Sequence, residues 1–147
     1  MNAITMINSA VAYFAAAAVL ALICSFHKTL SGWVAGIGGA VGSLMTLAAG
    51  GIVLLGGQPV ATLMPLIRHT VAITPLNAIW LVTFGLCGLF ISLFNIDWHR
   101  HQHVFANGLL VNLLMATAVC SVIAGNLGAL VVMAEIMALC GVFLTGC

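Results

Sequence analysis

The sequence predicts an all-α, polytopic membrane protein, on three observations: a very apolar composition, almost no charge, and apolar runs of bilayer-spanning length. Of 147 residues, 64% are hydrophobic and 3% are charged. A water-soluble domain carries about 25% charged residues. A chain with so little charge cannot present a wetted surface, so its solvent is lipid. Mean hydropathy of +1.31 agrees. The formal net charge of +1 includes no basic stripe, which excludes nucleic acid as a partner.

A helix of about 20 apolar residues crosses a hydrocarbon core of about 30 Å. Five such runs are present, at about 7–26, 31–55, 76–96, 107–125 and 127–147. Lipid offers no hydrogen bonds to backbone groups, so each run must satisfy its own as a helix. Barrel strands would alternate over about 10 residues, and these runs do not. The first run lacks a basic segment before it, and its nearest cation, Lys28, follows it. It is therefore expected to be a retained helix rather than a cleaved leader. Residues 1–147 are read as a single transmembrane domain.

Cations favour cytoplasmic loops. Lys28 and Arg100 fall in the first and third loops and Arg68 in the second, which favours an N-terminus outside the cytoplasm. Trp33, Trp80 and Trp98 fall at predicted helix ends, where aromatic belts form. The second run contains "SGWVAGIGGAVGS", with Gly32 and Gly36, and Gly38 and Gly42, four apart. Small residues at that spacing let helices approach closely. They serve either packing within this chain or contact with a partner subunit. The longest polar stretch, Gln58–Thr74, is broken by prolines, and its "TVAIT" alternates like a short strand. It is expected at the membrane interface.

Few residues carry chemistry. Cys24, Cys87, Cys120, Cys140 and Cys147 form no CxxC pair and read as small apolar residues. In "DWHRHQH", Asp97, His99, His101 and His103 could ligate Zn or Ni. On a helix, however, His101 turns away from the other two, and a solvated cap on the third helix is the simpler reading. Motifs for a nucleophilic serine, a P-loop, a dinucleotide fold or an HExxH zinc site are missing. No cofactor, metal or stand-alone catalysis is expected.

Glu135 differs in kind. It lies roughly 12 Å into the last run, at 1.5 Å per residue. A carboxylate at that depth costs about 2.5–3.5 kcal/mol on insertion scales, so it persists when buried, paired or in a proton path. Gly128 and Ala138 share its helix face and suit contact with protein more than lipid. Desolvation favours a neutral carboxyl and a nearby cation favours its anion, a tension that suits proton transfer. The alternative is a permanently protonated acid that glues helices. Lys28, Arg68 and Arg100 all lie in loops, so a cation for Glu135 must come from outside this chain.

Three stretches, "SGWVAGIGGAVGSL", "ITPLNAIWLVTFGLCGLFISLFNIDWHRH" and "NLGALVVMAEIMALCGVFLT", resemble the N-terminal part of the antiporter-like membrane subunits of formate hydrogenlyase and hydrogenase-4. That group is related to the proton-translocating subunits of complex I and of Mrp antiporters. The resemblance covers essentially the whole chain. It implies a bacterial inner-membrane subunit with no redox centre of its own, working beside other membrane and peripheral subunits of a [NiFe]-hydrogenase complex. It also implies that Glu135 occupies the place of the family's proton-transfer glutamate, whose lysine partner lies on a later helix. Complete members have more helices than five. The chain is therefore expected to be a fragment or a truncated product, and the alternatives to proton translocation are a structural or assembly module and a non-functional product.

Overall fold

The computed structural model describes residues 3–56, 60–64, 69–101 and 106–146. Five helices follow in order: α1 (Ala3–Ile23), α2 (Lys28–Leu54), α3 (Pro75–His101), α4 (Asn107–Val122) and α5 (Leu127–Gly146). A short 3₁₀ turn, Cys24–Phe26, joins α1 to α2, and a hairpin of β1 (Val60–Met64) and β2 (His69–Ile73) lies between α2 and α3. This is an all-α membrane protein that carries, among the described residues, one small hairpin. Helices α1, α2, α3 and α5 are each long and apolar enough to cross a bilayer.

The fourth helix is shorter than its apolar run. The run reaches Gly125, but α4 stops at Val122 after 16 residues, about 24 Å. The backbone beyond it is drawn into pairing with β2: Ala72 N–H donates to Ile123 O at 3.0 Å, and Gly125 N–H donates to Thr70 O at 2.8 Å. Helix and sheet cannot both use those groups. α4 nonetheless runs between the same two faces as its neighbours. Its first residue, Asn107, meets Asn95 near the end of α3, and its last turn meets β2 just before α3 begins. The third helix, by contrast, outruns its prediction and continues through His101.

The hairpin is antiparallel, with Val60 opposite Ile73 and Met64 opposite His69. Period-2 alternation turns Val71 and Ile73 inward, and both are buried. They join a core that takes Ile7 and Phe14 from α1, Ala78 and Leu81 from α3, and Val119 and Ile123 from α4. Asn77 ties the hairpin to the first turn of α3 by donating from Nδ2 to Ala72 O at 2.8 Å.

Glycines set the spacing of the bundle. A side chain on Gly36 would strike Ile96 of α3, one on Gly38 would strike Ala17 of α1, and one on Gly42 would meet Phe14 of α1 at 2.9 Å. Gly32 is buried too. The small-residue pattern of α2 therefore serves packing within the chain. Across the same seam, Gly85 of α3 would place a Cβ 2.7 Å from the backbone nitrogen of Leu47.

The outer surface is apolar. Phe90, Phe94, Leu93 and Phe143 are all more than half exposed, as lipid-facing side chains require. Trp33 and Trp80 are exposed within two turns of the helix starts, at belt positions. The side chain of Trp98 lies outside the described residues.

Candidate functional site

Glu135 is the ninth residue of α5, a helix that starts under an asparagine cap: Asn126 Oδ1 accepts from Ala129 N–H at 2.7 Å. Among the described residues, the one substantial neighbour of α5 is α4. Ala129 and Cys140 point to that neighbour and are buried. Glu135 points away and is exposed, in line with Val131 and Val142. With Ala138, Leu139 and Val142 it lines a shallow open depression. Gly128 and Ala138, the small residues of its face, are exposed as well, and a Cβ on Gly128 would meet nothing closer than 3.7 Å. That face is thus uncovered by the described residues, and none of them gives the carboxyl a hydrogen bond or an ion pair.

Arg68, His103 and Cys147 lie outside the described residues, as do the side chains of Lys28, His99, Arg100 and His101. The histidine stretch therefore has no described geometry. Among the described residues, no three His, Cys, Asp or Glu side chains gather as a metal site. Cys24, Cys87, Cys120 and Cys140 are free thiols. Cys120 and Cys140 are buried as small apolar residues are, whereas Cys87 faces outward.

A second polar feature lies inside the bundle, where sequence reasoning did not look. Asn112 of α4 is 1% exposed. Its Nδ2 donates to Ala35 O of α2 at 3.2 Å and to Gly108 O at 2.9 Å. Gly39 of α2 makes room for it: a Cβ there would lie 3.0 Å from Asn112 Oδ1 and 2.5 Å from Ser92 Oγ of α3. One turn along, Ser43 sits over Gly88, and toward the end of the bundle Asn107 Nδ2 donates to Asn95 Oδ1 at 2.8 Å. Ser31 adds a bond from α2 to Ala21 O of α1 at 2.8 Å. The column is uncharged, and at its Asn95–Asn107 end it shares a pocket with Leu144 of α5. It ties helices; it does not reach Glu135. The available signal was three asparagines, 95, 107 and 112, in apolar runs.

Interhelical hydrogen bonds in membranes average about 0.6 kcal/mol and reach about 1.7. Asn112 bridges two helices at a site sealed from lipid, so Asn112→Ala is expected to cost about 1–2 kcal/mol, bond and cavity together. Reversible unfolding in mixed detergent checks this. Asn107→Ala, nearer the bundle end, is expected to cost less.

The class defined by fold and site is a multi-pass α-helical membrane protein whose described interior is polar but uncharged and whose α5 turns a carboxyl outward. Within that class, the chain is 67% identical over 145 residues to formate hydrogenlyase subunit 3 of Escherichia coli (strain K12). The alignment takes in 99% of this chain and 24% of that protein, so the chain spans about a quarter of the relative's length. No family model matches the chain. The resemblance carried by the three quoted stretches thus extends along nearly the whole chain.

Proposed function

We propose that the chain is part of the membrane arm of a formate hydrogenlyase or hydrogenase-4 type complex, where its helices anchor neighbouring subunits and Glu135 handles protons. The observation that carries this is the uncovered face of α5. A carboxyl at this depth is too costly to leave against acyl chains, and the described residues leave it uncovered. A further helix bearing a cation fits that depression. The similarity to formate hydrogenlyase subunit 3 supports such a setting, with other membrane and peripheral hydrogenase subunits as partners and the bacterial inner membrane as the location. The hairpin lies on one side, and the start of α2 and the end of α3, which carry Lys28 and Arg100 in sequence, lie on the other. The two-to-one charge bias of the loops in the sequence supports a periplasmic hairpin and N-terminus.

The rival reading is an assembly module whose carboxyl stays protonated. The chain has one glutamate, so ¹³C-glutamate labels a single site for infrared spectroscopy in bilayers. Leu139→Lys places a cation one helical turn from Glu135, in the same depression. A proton-handling carboxyl is expected to exchange its protonated carbonyl band for a carboxylate band in that variant at neutral pH. An unchanged protonated band would favour the assembly module.

A further inference from the structure

The position of α5 has little support from α5 itself. About a tenth of its apolar segment is buried, against a third or more in α1 and α2. A helix with one flank supported can slide and roll against its neighbour. Its start, however, is held. The two hydrogen bonds from Ala72 N–H to Ile123 O and from Gly125 N–H to Thr70 O bracket an antiparallel bridge between Val71 and Ala124. The residues just before α5 therefore pair with β2 through a single antiparallel bridge. β2 is itself fixed, through Asn77, to the first turn of α3, and its Val71 and Ile73 are 3% and 1% exposed. Backbone contact at Gly125 is so close that a Cβ would lie 2.5 Å from Thr70 O and 2.9 Å from its carbonyl carbon. One residue later, Asn126 caps α5 with its side chain and accepts from Leu130 N–H with its backbone oxygen.

We infer that β2 is a clasp that sets the depth and rotation of α5, with Gly125 as its positioning residue. The outward aim of Glu135 is then fixed where Ile123–Gly125 pairs with Thr70–Ala72, and Gly125 lies ten residues before the carboxyl. The register matters because its steps are large. A slip of one residue along β2 moves the turn by about 3.3 Å and reverses which faces meet. That equals about two residues of helical rise, and starting α5 one residue later rolls it by about 100°. Either displacement would carry Glu135 out of line with a cation on a neighbouring helix. The purpose of the clasp rests on the proton-handling reading; its existence does not.

The test uses the full chain in bilayers, with the ¹³C-labelled carboxyl of Glu135 read by solid-state NMR and its depth taken from relaxation caused by spin-labelled lipids. In Gly125→Ala, amide exchange at residues 72 and 125 is expected to rise at least about tenfold. The carboxyl depth is expected to shift while helix content is retained. Gly128→Ala, the same change three residues on in open space, is expected to leave both at native values. Faster exchange with an unmoved carboxyl would overturn the clasp, and so would unchanged exchange. Should Gly125→Ala fail to insert, Asn77→Ala loosens β2 from α3 more gently and is read by the same two signals. Depth does not depend on proton movement. A Glu135→Gln chain with full proton movement would remove the proton reading and leave the clasp standing.

Discussion

Glu135→Gln is expected to lower proton movement at least about tenfold, with the complex still assembled. The variant is made in an Escherichia coli formate hydrogenlyase whose subunit 3 carries this chain's sequence in the matching segment. Glutamine keeps the size and polarity of the side chain but cannot exchange a proton or answer a neighbouring cation. Acidification of inverted vesicles during hydrogen evolution gives the rate, and native gel electrophoresis gives assembly. The assembly reading makes a different forecast. A carboxyl that only glues helices is replaced well by glutamine, whose amide bonds equally, and poorly by leucine. Full proton movement in Glu135→Gln, with loss of assembly in Glu135→Leu, would remove the proton-transfer role.

Gly85→Val is expected to be the most damaging single change to the fold, at about 3 kcal/mol. The obstacle is backbone. At Gly85, an added Cβ would lie 2.7 Å from Leu47 Cβ and from Leu47 N, and 2.9 Å from Leu47 Cα. Rotamer changes relieve a clash with a side-chain tip, but here α2 and α3 must move apart. Interhelical contact in a bilayer has no hydrophobic drive of its own and depends on close fit, so separation forfeits it directly. Gly141→Ala in α5 is the matched control, since nothing lies within 4 Å of its Cβ. It is expected to be neutral or to gain up to about 1 kcal/mol from helix propensity. Unfolding in mixed detergent compares the two; equal stability would show that the α2–α3 seam tolerates opening.

Most of the fold was legible because the signal is one-dimensional. An apolar run either is or is not long enough to cross a bilayer, and α1, α2 and α5 follow their runs to within about four residues, while α3 continues past its run to His101. The misjudged end of α4 has a tertiary cause. Nothing in Ile123, Ala124 and Gly125 taken alone says that their backbone will bond to a strand fifty residues earlier. The alternation in "TVAIT" did announce β2, but its partner β1 carries no comparable pattern. The glycines of α2 left two readings open, and the contacts with Ala17, Phe14 and Ile96 favour packing within the chain. The asparagine column went unread for another reason. Asn112 meets Ala35 and Gly39, and Asn107 meets Asn95, only when three helices assemble. Glu135 was conspicuous as a lone acid in an apolar run, but which way it faces depends on where α4 lies, and periodicity does not supply that.

The unequal lengths of the helices bear on the lipid around them. α2 and α3, at 27 residues, are each about 40 Å long, well beyond a hydrocarbon core of about 30 Å, whereas α4 is about 24 Å. A bilayer meeting the long pair must thicken or let them lean, while one approaching α4 and its neighbour α5 meets a lower wall. The annulus of lipid is therefore strained unevenly around the circumference: stretched along α2 and α3, and near its relaxed thickness beside α5, whose 20 residues span about 30 Å.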